Sequence, residues 1–261
     1  HKALHPEMHA IGEAWVNDAS LLSFFQGGRA GWDGIDPGIE GVFDFPLNFA
    51  LVDVVSNGKG ASALARAIGK DFVYPHPEWL VTFRDNHDTP RLAGMKAVTP
   101  SRYRLAVAFL LTSRGIPQLT WGDEIGLGGH GDDRHTIPGG WPGDPRDAFA
   151  QTGRSEEEHA HFACVRELLR LRRESPALRR GSTTDLIANE DVYAYLRRDG
   201  DERLLVVLNF GKTPAHLAFP HAEVGPSARL AKVYGEGDAH RLAECPFAVV
   251  PPERAAIFRV H

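Results

Sequence analysis

Asn86, His87 and Asp88 stand in one short run, after Val81-Thr82-Phe83-Arg84-Asp85 and before Thr89-Pro90-Arg91. An amide, an imidazole and a carboxylate together can grip hydroxyl groups and move protons. The residues ahead of them suit a buried strand, and Pro90 disfavours helix at Thr89. A buried strand that runs into a polar cluster and then a turn is how the carboxyl end of a parallel strand reads when it carries a site. The plain alternative is a solvated loop. Other carboxylates follow apolar runs in the same way: Glu13 after His9-Ala10-Ile11-Gly12, and Asp123 with Glu124 after Ile116-Pro117-Gln118-Leu119-Thr120-Trp121-Gly122. Paired carboxylates beside aromatic residues and a histidine suit glycoside hydrolysis. One must stay protonated to feed the leaving oxygen, and another ionised to face the developing oxocarbenium ion. Trp15 beside Glu13 would strip water from it and favour the protonated form.

The elements that must hold these groups alternate. Strands are expected over 9–15, 41–47, 81–91 and 116–121, with Pro46 stopping the second. Helices are expected over 47–55, 61–70, 101–113 with Ser101 as N-cap, and 155–174, opened by the capping box Ser155-Glu156-Glu157-Glu158. Gly- and Asp-rich loops fill 26–38 and 126–147. Beyond Pro176 the texture is β-rich, with strands near 192–196, 203–208, 216–219, 229–234, 246–250 and 255–260. Asp199-Gly200-Asp201 is a hairpin signal. The fold class is therefore α/β plus all-β: a parallel α/β unit over 1–177, then an antiparallel β domain over 178–261. Four parallel strands make either a small open sheet or half of an eight-stranded barrel.

Composition narrows the partners. The 261 residues are 43% hydrophobic and 24% charged, and the net charge of -5 argues against nucleic acid or an anionic membrane as partner. Cys164 and Cys245 give neither a disulfide framework nor a metal spacing, and Cys164 reads as a small buried residue of a helix. No run of 18 apolar residues occurs. Loop aspartates leave calcium conceivable, but no stretch has the spacing of a calcium loop, so no cofactor is expected. Asp132-Asp133-Arg134-His135 and the loop residues Trp32 and Trp141 could line outer sugar subsites or simply belong to solvated loops. The chain opens His1-Lys2-Ala3-Leu4-His5-Pro6 without an initiator Met. An upstream part is therefore expected outside it, and any targeting segment would lie there.

In this order the motifs resemble the carboxy-terminal half of the α-amylase superfamily, glycoside hydrolase family 13. The likeness is greatest to cyclomaltodextrinase- and neopullulanase-type members. Gly12-Glu13-Ala14-Trp15 is similar to the motif ending barrel strand five, and Val42-Phe43-Asp44-Phe45-Pro46-Leu47 to strand six. Phe83-Arg84-Asp85-Asn86-His87-Asp88 is similar to strand seven, and Gly115 to Gly126 to strand eight; Pro138 to Asp144 resembles the loop after it. The resemblance implies a (β/α)8 barrel, here from strand five onward, followed by a β-sandwich. It implies Glu13 as general acid/base, Asp88 as transition-state stabiliser and His87 as a sugar contact. Asn86, Arg91 and Trp15 join them as candidate substrate-binding residues, and Arg91 could instead pair with Asp85. Asp123 and Glu124 are expected to brace the strand-eight loop. The implied substrates are α-1,4-linked maltooligosaccharides, cyclodextrins or pullulan. The family's nucleophile, an Asp in a Gly-x-Arg-x-Asp pattern, has no counterpart in the chain, which alone is expected to be inactive and to need the other half-barrel. A glucanotransferase, a trehalose-synthase-type isomerase and a non-catalytic sugar-binding relative are the alternatives.

Overall fold

Four short strands lie side by side in the order β1 (Ile11–Gly12), β2 (Gly41–Val42), β3 (Val81–Thr82) and β4 (Ile116–Pro117). β1 pairs with β2 and β3 with β4, both parallel, and a parallel bridge between Phe43 and Val81 joins the pairs. The computed structural model describes residues 3–31, 33–129, 136–219, 222–242 and 245–261. Trp32 and the 132–135 segment lie outside the described residues.

Helices connect the strands. α1 (Ala19–Ser23) follows β1; α2 (Phe45–Ser56) and α3 (Ser62–Ile68) follow β2; α4 (Pro100–Thr112) follows β3; α5 (Glu156–Glu174) and α6 (Pro176–Arg180) follow β4. The ordered strands are shorter than the apolar runs suggest, because the polar residues that follow turn into loops. Pro46 does not stop a strand. It sits in the first turn of α2, where its missing N–H costs nothing, behind Asp44, whose Oδ1 accepts from the Leu47 N–H at 3.1 Å. Thr99, not Ser101, caps α4: its Oγ1 accepts from the Arg102 N–H at 3.1 Å, and Pro100 takes the first helical position. The capping box of α5 is present as expected, with Ser155 and Glu158 each accepting from the other's backbone N–H. Gly115 joins α4 to β4 at φ +89, and a Cβ there would meet the Leu80 carbonyl at 2.6 Å, so glycine is required.

The remaining strands are β5 (Ser182–Ala188), β6 (Val192–Asp199), β7 (Glu202–Asn209), β8 (Ala215–Ala218), β9 (Leu230–Gly235), β10 (Asp238–Leu242), β11 (Cys245–Val250) and β12 (Arg254–Val260). They form a five-stranded sheet, β5-β6-β7-β12-β9, and a three-stranded sheet, β10-β11-β8. β6 and β7 make the expected hairpin, with Asp199 opposite Glu202 and Gly200 at φ +57. β5 and β10, which the apolar pattern does not show, are both edge strands with polar sequences.

The five-stranded sheet is covered on both faces. Val192, Ala194, Leu196, Leu205 and Val207 pack toward β8 and β11. Tyr193, Tyr195, Leu204, Val206 and Leu208 share a core with Leu105, Val107, Phe109 and Leu111 of α4. This accounts for the unbroken apolar run Leu204 to Leu208, since a strand buried on both faces has no solvent side to make polar. The helical unit and the β unit therefore share one core, and the boundary expected after residue 177 falls inside α6. Cys164 is buried in this core with its Sγ 3.1 Å from the Tyr234 hydroxyl; it and Cys245 are both free thiols.

Arg102 ties the units by hydrogen bonds. Its guanidinium donates to Glu253 Oε1 at 2.9 Å, to the Val54 carbonyl at the end of α2 at 3.1 Å, and to the Phe210 carbonyl after β7 at 3.1 Å. Glu253 holds its end of the bond from a left-handed backbone, φ 52, which is costly for a non-glycine residue. Arg102→Ala is expected to cost about 2–3 kcal/mol, because two carbonyls lose a donor together and the Glu253 carboxylate is left with the Thr99 hydroxyl alone on its other oxygen. Urea unfolding followed by circular dichroism checks this; a loss below about 0.5 kcal/mol, the size of an ordinary surface change, would show the junction to be held by apolar packing alone.

Candidate active site

Because the strands are parallel, their carboxyl ends share one side. Glu13 leaves β1 there and the Asn86-His87-Asp88 loop follows β3. The loop is built from its own side chains. The Asn86 N–H donates to Thr89 Oγ1 at 2.8 Å, and Asn86 Oδ1 accepts from the Asp88 N–H at 3.0 Å, an Asx turn. The other end of the Asn86 amide, Nδ2, reaches Glu13 Oε1 at 3.4 Å across 73 positions of sequence. Asn86 is buried, whereas Glu13, His87 and Asp88 are exposed. His87 Nε2 lies 3.2 Å from Asp88 Oδ2. The site thus presents two carboxylates and an imidazole to solvent, with one buried amide setting their relative position.

A buried charge cluster carries the loop from beneath. Arg84, fully buried, places Nη2 2.7 Å from Asp123 Oδ2 and its guanidinium 4.5 Å from the Tyr103 ring centre. Arg91 places Nη2 3.4 Å from Asp123 Oδ1 and Nη1 3.3 Å from Asp85 Oδ1. One carboxylate, Asp123, therefore holds the arginines on both sides of the site loop. The Asp85 carboxylate also accepts from the Leu92 N–H at 2.9 Å, and its backbone carbonyl accepts from Thr120 Oγ1 at 2.8 Å. Burial pushes the Asp123 carboxyl up to about 6, with Asp85 adding to it and Arg84 and Arg91 opposing.

Two expectations change here. Arg91 does not face outward for a sugar hydroxyl. It is 6% exposed, and besides its carboxylate partners it donates to the Trp121 carbonyl at 2.6 Å. Pairing with Asp85, the other possibility, is what the structure shows. Trp15 does not cover Glu13 either: its ring packs on Phe45, centroids 4.8 Å apart, and Glu13 stays exposed. The bracing role expected of Asp123 is present, and Trp141 is a solvent-exposed loop residue. Arg84 is the residue the sequence reading passed over. The signal available was an arginine placed where the strand was otherwise read as buried, which requires a buried acid.

His161 of α5 lies against this cluster, edge-on to Tyr103 at 4.8 Å and 3% exposed. Burial, then the charge of Arg104, push its pKa down to about 4, against the pull of Glu157. The unfolded chain therefore takes the proton first. The neutral His161 contributes stability that is complete above pH 6.5 and is lost as pH falls toward 4. Asp123 has the opposite sign: its penalty, present above pH 6, is relieved over the same fall. The stability of a His161→Phe variant relative to the parent should rise as pH drops through 6.5 to 4, read from urea midpoints at each pH. A constant difference would refute the depressed histidine.

Among the described residues, no group of three or more His, Cys, Asp or Glu could hold a metal ion, and no helix is long and apolar enough to cross a membrane.

No protein-family model matches the chain. A cyclomaltodextrin glucanotransferase from Paenibacillus macerans is 37% identical over 138 residues, 52% of this chain and 17% of that protein. A cyclomaltodextrinase from Geobacillus thermopakistaniensis is 29% identical over 229 residues, 84% of this chain and 34% of that protein. In sequence the chain resembles members of the α-amylase superfamily. The fold agrees: an α-amylase from Geobacillus thermoleovorans, solved with acarbose, superposes with a TM-score of 0.79 over 100% of this chain and 55% of that one, at 23% identity. The chain thus spans about a third or less of these curated superfamily relatives and about half of the solved amylase.

Proposed function

We propose that the chain contributes to a retaining α-glucan-active enzyme of the α-amylase type. In this reading its four parallel strands are strands five to eight of a (β/α)8 barrel over residues 1–177, and residues 178–261 are the C-terminal β-sandwich. The observation that carries it is the 3.4 Å approach of Asn86 Nδ2 to Glu13 Oε1, which joins the ends of two separate strands into one site. Glu13 protonates the glycosidic oxygen and later takes a proton from water. Asp88 and His87 bind the hydroxyls of the sugar being cleaved and tighten as its ring flattens. Asn86 and Arg91 serve this site by position, Asn86 through the Asp88 turn and Arg91 through the ion pairs under the loop. Trp15 offers a half-exposed ring packed on Phe45, two positions after Glu13 in the sequence. The covalent step needs a third carboxylate. No Gly-x-Arg-x-Asp pattern occurs in the 261 residues, so that nucleophile comes from outside this sequence. Substrates are α-1,4-linked maltooligosaccharides, cyclodextrins or pullulan, in line with the names of the relatives.

The purified 261-residue chain, assayed by itself, is expected to release no reducing sugar from maltooligosaccharides. Release above the level of a Glu13→Gln control would overturn the placement of the nucleophile outside the sequence. A transferase reading has its own support, since glucanotransferases are among the relatives. Chromatography of the products from a polypeptide that also carries the nucleophile separates the two: new longer or cyclic glucans mark transfer, and short linear ones mark hydrolysis.

A further inference from the structure

A second recess lies at the other end of the parallel strands. Its wall comes from the loop before β2, including Gly28, Asp36 and Glu40, and from the turn before β3, including His76 and Trp79. All precede their strands, whereas Glu13 and Asp88 follow theirs. Gln26, 1% exposed, braces the recess from within. Its amide nitrogen donates to the carbonyls of Glu40 at 3.0 Å and His76 at 2.8 Å, and its oxygen accepts from the His76 N–H at 3.0 Å.

The rings of His76 and Trp79 stack at 4.0 Å and 19°. The stack is locked yet open to solvent: the His76 side chain is 35% exposed and Trp79 38%. A rigid exposed aromatic block gives apolar contact at little entropic cost. Asp36 shapes the rim: Oδ1 accepts from the Gly38 N–H at 2.9 Å, and both oxygens lie within 3.3 Å of the Gly28 nitrogen. The carboxylate itself stays exposed, with lone pairs left to accept hydroxyl hydrogens. The cavity holds about 310 Å³, at the small end for small-molecule sites.

The chemistry selects the ligand. The lining offers two carboxylates, Asp36 and Glu40, and no lysine or arginine, so phosphates and other anions are disfavoured. Glu40 is engaged by the Ala10 N–H at 2.8 Å, so Asp36 is the exposed acceptor. A flat ring beside it fits a neutral polyhydroxylated ring, whose C–H face lies on the indole while its hydroxyls donate to Asp36. We propose that the Trp79–His76 recess is a second, non-catalytic site for a pyranose unit of a neutral oligosaccharide.

The test titrates the 15N-labelled 261-residue chain with maltotriose and, in a parallel arm, with cellobiose, and follows the Trp79 indole N–H signal, assigned by Trp79→Phe. A saturable shift with either sugar is expected at concentrations in the tens of millimolar. Asp36→Asn, with its spectrum otherwise unchanged, should weaken that affinity at least threefold. The wild-type titration stands alone if that variant does not fold. No movement of the Trp79 signal with either sugar overturns the proposal, as does movement confined to residues around Glu13 and His87. Because the signal sits at the amino ends of the strands, this site and the strand-end site can each fail without the other.

Discussion

Asp123→Leu is expected to destabilise the chain by about 3–5 kcal/mol, the range for removing one partner of a buried ion pair. The Arg84 guanidinium is fully buried, and its nearest carboxylate oxygen is Asp123 Oδ2 at 2.7 Å. Arg91 would lose its second carboxylate and the Thr120 N–H its acceptor, Asp123 Oδ2 at 2.8 Å. Asp85 would then face two buried cations alone. The destabilisation should appear as a lower urea midpoint at unchanged slope. It should be largely recovered in the double variant Asp123→Leu, Arg84→Met, which removes the stranded charge along with its partner. If the double variant is no more stable than the single one, the cost lies in lost packing rather than in Arg84. Since Arg84 and Arg91 stand on either side of residues 86–88, the single variant should also loosen the site loop.

Glu13→Gln is expected to lower turnover by about a thousandfold in a polypeptide that also carries the nucleophile, within the span for losing a general acid. Glutamine keeps the shape and can still accept from Asn86 Nδ2, so the pairing with the neighbouring strand end survives. What it loses is the proton for the leaving oxygen. Substrates with an already acidic leaving group, such as a nitrophenyl glycoside, should therefore show a much smaller loss in kcat/KM, which reports the first step, since they need little protonation there; the water step loses its base with either substrate. A loss below tenfold on natural glucans would remove Glu13 from the acid's role. An equal loss of kcat/KM on both substrate types would remove Glu13 from the acid's role and assign it to binding.

Much of the site is legible in the sequence because it depends on residue type at strand ends. Glu13, His87 and Asp88 stand after apolar runs, and parallel strands bring such ends to one side. The order of the segments is legible for the same reason. The extent of pairing is not. An apolar run shows what is buried, whereas a ladder requires a neighbour at each residue, and here it lasts two residues per strand. The direction of a side chain is also hidden. Arg91 and Trp15 are chemically able to meet a sugar, but a buried acid captures one and Phe45 takes up the other. Pro46 misleads because proline punctuates a strand end and a helix start equally well; Asp44 decides it through its cap. β5 and β10 leave no apolar signature because an edge strand can be held by backbone pairing on one side.

The sheet that is buried on both faces has a consequence for inheritance and for recombination. A chimera assembled from two such proteins with its crossover near residue 178 would draw α4 from one parent and β6 from the other. Phe109, Tyr193 and Tyr195 would then meet partners they were not matched to, and Thr112 would lose or misplace its hydroxyl contact with Tyr195. Volume mismatches in such a core cost about 1–3 kcal/mol each. The helical and β segments of this chain are thus expected to be exchanged as one block, and the region that looks most like a domain border in the sequence is a poor place to cut.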